Sequence, residues 1–227
     1  MYQLVTNLLV VATLLLPTVA LGEETARPRV LILGDSVSQQ AASEAAKELK
    51  GQVEVVYAKP KHVAIVNTTT ALANLDSLLG DKPWDVIQFN FGLGDLIYCA
   101  PRMKSFRVMP IHAGGIRATS PQEYEDNLRE FVAQLKETNA KLIWANTTPI
   151  RHSTSNVFKL GSEIEYNMIA AKVMKEESIE INDMYSYVLA LIDMDRPASH
   201  GADPFFFDRK PIHPPLVGHI RSSLKVD

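Results

Sequence analysis

From Arg29 onward, short unbroken apolar runs alternate with longer stretches in which apolar residues recur every three or four positions. "RVLILG" is a continuous apolar run closed by Gly34, the pattern of a strand buried on both faces. "SQQAASEAAKELKG" is rich in strong helix formers and stops at Gly51. "VEVVYA" reads as a second strand. "TTTALANLDSLLG" reads as one helix with Leu72, Leu75, Leu78 and Leu79 on one face and a stop at Gly80. "WDVIQFNFG" is a third strand. In "SPQEYEDNLREFVAQLKETN", Ser120 is a cap, Pro121 takes the first helical position and Glu123 completes a capping box. "KLIWANTTP" is a fourth strand, "EIEYNMIAAKVMKEE" a helix, "IEINDMY" a short fifth strand and "PPLVGHIRSSLKV" a terminal helix. Repeated alternation of strand and helix predicts an α/β fold with a parallel sheet of about five strands covered on both faces. No second hydrophobic core, repeat or low-complexity linker interrupts it, so residues 23–227 read as a single domain. The segment Ala100–Thr119, with its prolines, glycines and basic residues, is a long insertion after the third strand, at the edge where such sheets bind ligands.

Composition narrows the class. The chain has 227 residues, enough for a sizeable core, and is 46% hydrophobic and 22% charged. A net charge of −3 gives no basic footprint for a nucleic acid. "LLVVATLLLPTVALG" is apolar, shorter than a comfortable membrane span, and followed by small residues and then Glu23 and Glu24. Residues 1–22 are therefore expected to be a cleaved signal peptide and the mature protein to be secreted or periplasmic, with no membrane span. Cys99 is the single cysteine, so no intramolecular disulfide forms, and its place in "LIYCAP" suits a packed apolar residue.

In an open parallel sheet, sites form beyond the carboxyl ends of the strands. There the sequence places Gly34, Asp35 and Ser36 after strand one, His62 and Asn67 after strand two, and Gly92, Gly94 and Asp95 after strand three. Asn146, Thr147 and Thr148 follow strand four. Ser36 stands at a strand-to-helix turn, where its hydroxyl projects and helix N–H groups can face an oxyanion. A serine nucleophile needs a base, and the base an orienting acid. His213, in the proline-rich loop "FDRKPIHPP", is the best base by position, with Asp208 near enough in sequence to hold it. Asp35 would cap the helix or brace the turn. The remaining histidines lack ligand spacing, so neither a metal nor another cofactor is expected. Trp84 and Trp144 flank strands and read as packing residues.

"LGDSVS" near the start, "WDVIQFNFGLGDL" in the middle and an Asp…His pair near the end resemble the SGNH hydrolases, also called GDSL esterases, over nearly the whole mature chain. "YEDNLREFVAQLK" and "INDMYSYV" are similar to a branch found in exported bacterial proteins. The resemblance implies a flavodoxin-like three-layer α/β/α sandwich and ester hydrolysis through an acyl-serine intermediate. It casts Ser36 as nucleophile and first oxyanion donor, His213 as base, and Gly92 and Asp95 as the frame of the third block. The chain departs from the pattern at three places. Gly94 stands where the family has an oxyanion-donating Asn. No glycine occurs in "VNTTTALANL", leaving Asn67 or a threonine as donor. Lys210 takes the place of the acid three residues before the histidine, with Asp208 the substitute.

The expected activity is thus hydrolysis of acyl or acetyl esters of carbohydrates or of small lipid-like esters, with a small-molecule or glycan ester as partner. Two alternatives use the same scaffold: a carbohydrate-binding protein without catalysis, and an acyltransferase onto glycans.

Overall fold

The computed structural model describes residues 26–102, 107–151, 156–195, 207 and 210–227. The expected signal peptide and Asp208 lie outside the described residues. Five strands form one parallel sheet: β1 (Arg29–Gly34), β2 (Glu54–Ala58), β3 (Val86–Asn90), β6 (Lys141–Ala145) and β7 (Glu180–Asn182), in the order β2-β1-β3-β6-β7. Val30, Leu31, Ile32 and Leu33 are all completely buried, as an unbroken apolar run inside a doubly covered sheet requires.

Helix α1 (Ser36–Glu48) turns Val37, Ala41, Ala42 and Ala45 inward, and its small residues let it lie close to the sheet. It shares its side of the molecule with α8 (Pro214–Leu224). On the other side α5 (Pro121–Lys136) packs against α6 (Ser162–Glu176). Phe131 of α5 meets Phe89 and Phe91 with ring centroids 5.6 and 5.5 Å apart, tilted and edge-on, the favoured arrangements of stacked rings. The capping box of α5 forms as its sequence predicts, Ser120 accepting from the Glu123 N–H and Glu123 from the Ser120 N–H.

The stretch expected to be one helix over 68–80 is two: α2 (Thr68–Leu72) and α3 (Leu75–Leu79). Asn74 divides them. Its side-chain amide donates to the Thr70 carbonyl at 2.8 Å, and its backbone N–H bonds to Ala71 instead. A side chain that competes for the backbone in this way breaks a helix that leucine periodicity alone would continue. Leu75 and Leu78 stay buried, so the apolar face survives the break.

After β3 a short α4 (Gly92–Leu96) leads to β4 (Tyr98–Cys99), which pairs antiparallel with β5 (Ile116–Arg117). This pairing closes the base of the insertion, and a bridge between Cys99 and Val108 ties down its outgoing arm. Tyr98 N–H donates to the Val157 carbonyl and Ile111 N–H to that of Asn156. The insertion is therefore pinned to the segment after β6 rather than draped over the surface. A last helix on the β7 side, α7 (Met184–Leu191), completes the described elements.

Candidate active site

The chain leaves β1 for β2 on one side and then crosses to β3 on the other. The gap past the ends of β1 and β3 is the switch point where this topology binds ligands. Ser36 sits there, exposed, as the first residue of α1. Asp35 is the cap: its carboxylate accepts from Val37 N–H at 3.0 Å and Ser38 N–H at 3.3 Å. That satisfies the second and third N–H groups of the helix and leaves that of Ser36 for whatever stands in front. The Tyr57 hydroxyl lies 2.9 Å from both the Gly34 and Asp35 carbonyls and fixes the turn from the β2 side. Burial pushes the Asp35 carboxyl up to about 6, against the opposing pull of its two N–H donors.

Ser36 opens onto a pocket of about 340 Å³. Its walls are mostly apolar: Ile65 from the loop after β2, Leu93 and Ile97 around α4, Val108 from the insertion, and Val157 and Phe158 beyond β6. Asp35, Ser36 and Lys59 are its charged or hydroxyl-bearing members. This is the usual make-up of a small-molecule site, a concave apolar surface with a few convergent polar groups. The pocket residues other than Asp35, Ser36 and Gly94 escape sequence reading because four separate segments supply them. Lys59 was accessible by the same rule that found Ser36, since it follows the end of β2.

Gly94 lies on the pocket wall, but a side chain cannot be built there. A Cβ would fall 1.8 Å from the Val66 carbonyl oxygen and 2.6 Å from its carbon. The backbone of the β2–α2 loop fills the space where the family carries its oxyanion Asn, and the Gly94 N–H is itself bonded to the Phe91 carbonyl. Asn67 is likewise occupied. It caps α2 by accepting from Thr70 N–H at 2.9 Å, and its amide faces the Thr119 hydroxyl at 3.5 Å. Asp95 is completely buried. It accepts from Thr68 N–H and, at 2.6 Å, from the Thr68 hydroxyl, and so clamps the β2–α2 loop to the end of β3. Burial raises its carboxyl to about 7 despite these donors. All three expected site residues thus hold up the pocket wall.

His213 is not brought to Ser36. It stands at the start of α8 with Nε2 3.1 Å from Glu48 Oε2. Glu48 ends the helix that Ser36 begins, twelve residues on, a rise of about 18 Å. The carboxylate makes Nε2 the donor, and the buried Nδ1 has no partner among the described residues. Lys210, at the family's acid position, donates its N–H to the Phe207 carbonyl. Past β6, the Asn146 amide bonds Asp183 and its oxygen accepts from Tyr185 N–H, so that strand end is braced internally.

No protein-family model matches the sequence, and no curated protein is similar to it in sequence. The fold is that of the SGNH/GDSL hydrolases. A lipase/acylhydrolase from Enterococcus faecalis superimposes with a TM-score of 0.62 over 86% of this chain and 96% of its own, at 13% identity. An acetylxylan esterase from Geobacillus stearothermophilus gives 0.58 over 88% and 95%, at 12% identity. An α/β hydrolase from the metagenome of Lake Arreo, Spain, gives 0.59 over 87% and 95%, also at 12% identity.

Proposed function

We propose that the protein hydrolyses acyl esters at Ser36. The observation that carries this reading is an exposed serine on the first turn of a capped helix, at the β1–β3 switch point, opening on an apolar pocket of acyl-group size. Known esterases and acylhydrolases share the fold, which supports the reaction class. In the reaction, Ser36 Oγ attacks the ester carbonyl carbon while its proton goes to a base. The alcohol leaves carrying a proton. Water then cleaves the acyl-serine, releasing the acid and restoring the hydroxyl. The acyl chain lies along Ile65, Ile97 and Phe158, and the oxyanion faces the Ser36 N–H, reinforced by the positive end of α1. The base is assigned to His213 on the resemblance of its loop to the family's, and the reading requires His213 to leave Glu48 for Ser36.

A second reading, an ester-binding protein without turnover, is favoured by two observations: His213 rests on Glu48, and the Val66 carbonyl occupies the second oxyanion position. Labelling with a fluorophosphonate probe separates the two. The ester-hydrolase reading expects wild type to label and Ser36→Ala and His213→Ala to fail. A folded wild type that stays unlabelled sinks it in favour of binding alone. Labelling that survives His213→Ala removes His213 from the base's role.

A further inference from the structure

Resting on the ester-hydrolase reading, we propose that the substrate is an anionic ester whose alcohol portion carries a carboxylate, phosphate or sulfate beside the scissile bond. The charge distribution carries this. The chain is net negative, yet three of the segments that wall the Ser36 pocket carry cations at or next to their lining residues. Lys59 lines the pocket and is exposed. Lys61, Arg107 and Lys159 each lie within two residues of a lining position and are exposed, as is His62 on the same loop. None of these four cations is ion-paired among the described residues. Elsewhere many cations are paired, Lys47 with Glu44, Arg129 with Glu125 and Glu176, Lys136 with Glu177, Lys141 with Glu180 and Lys172 with Glu125, while Lys50, Lys82 and Lys175 stand scattered and unpaired among the described residues.

The acids of the pocket segments are outnumbered by these cations. Asp35 is turned to the N–H groups of Val37 and Ser38, and Asp95 is buried on Thr68. Unpaired cations around a concave site focus the field there and raise the local concentration of anions. The pocket interior is apolar and receives the acyl group, since burying a charge among Ile65, Ile97 and Phe158 would be costly. The anion therefore belongs to the alcohol, which stays at the rim. Three chain segments supply the cations, so they can meet one group from several sides.

The test compares three acetyl esters on the purified protein: acetylated oligogalacturonate, an acetylated sugar phosphate and neutral acetylated xylo-oligosaccharide. The expected result is a higher kcat/KM for at least one anionic ester than for the neutral one, with the advantage shrinking as salt rises. Lys61→Gln and Arg107→Gln should each reduce the anionic-to-neutral ratio about two- to five-fold, the usual worth of one exposed charge pair. Lys175→Gln, on α6, should leave the ratio alone. Equal or better turnover of the neutral ester, or a ratio indifferent to salt and to both rim substitutions, overturns the proposal. If no ester turns over at all, the ester-hydrolase reading fails by itself. Calorimetry on Ser36→Ala then decides the charge preference: tighter, salt-sensitive binding of oligogalacturonate than of xylo-oligosaccharide upholds it, and equal binding ends it.

Discussion

At Gly94 a single missing side chain has two different meanings. Set against the family pattern it is a lost oxyanion donor. In the structure it is the only residue that fits, because the Val66 carbonyl stands 1.8 Å from where a Cβ would be. Gly92 looks equally tight, 1.9 Å from the Thr147 hydroxyl, but its obstacle is the end of a side chain. Gly94→Ala is therefore expected to cost about 1–3 kcal/mol or more, and Gly92→Ala less, with part of the Gly92 loss recovered by Thr147→Ala. Denaturant midpoints of the four variants check the order, and a Gly94→Ala as mild as Gly92→Ala would contradict the steric account. Ser36 and its cap were legible because their determinants are local: a strand, a glycine, an acid and a helix start within eight residues. The His213–Glu48 contact was not, since the partners stand 165 residues apart and no local pattern joins them.

At the scale of elements, sequence periodicity and capping chemistry carried most of the fold. All five strands of the sheet fall in the apolar runs that predict them, and α5 begins at the cap its sequence announces. The failure at Asn74 is instructive because leucine spacing was right and the helix still broke. Burial decides which residues face inward, whereas a hydrogen-bonding side chain decides where the backbone stays helical. The antiparallel β4–β5 pair was hidden for another reason. It is two residues long on each strand, too short for any alternation to show. Caps that could be read should be measurable. Ser120→Ala is expected to lower stability by about 1 kcal/mol while leaving fluorophosphonate labelling of Ser36 intact, since α5 supplies no residue to the pocket wall. Chemical denaturation and labelling of the same sample test both halves.

For the whole molecule, two carboxyls at the carboxyl edge of the sheet, Asp95 fully and Asp35 partly buried, set an unusual response to acid. Burial raises Asp35 to about 6 and Asp95 to about 7, from an ordinary value of 3.8. A carboxyl whose pKa is higher folded than unfolded holds its proton more tightly in the folded state. Between pH about 4 and about 7 the folded protein then binds more protons than the unfolded chain, and stability falls as pH rises through that window. Other carboxylates act oppositely. Glu125 is held below its usual range first by Arg129, Glu177 by Lys136 and Glu180 by Lys141; their contribution is present at neutral pH and is lost only below about 4. The thermal midpoint should therefore rise on acidification from pH 7.5 to about 5, by an amount on the order of 3 kcal/mol at the folding equilibrium, and collapse below pH 4. Asp95→Asn removes the larger of the two raised groups and should flatten the rise between pH 5 and 7, with Asp35→Asn flattening it less. A wild-type midpoint that falls steadily from pH 7.5 to 5 would mean that the donors on Asp95 outweigh its burial and keep it ionised. The clamp between Thr68 and the end of β3 would then be a charged one at every pH at which the protein folds.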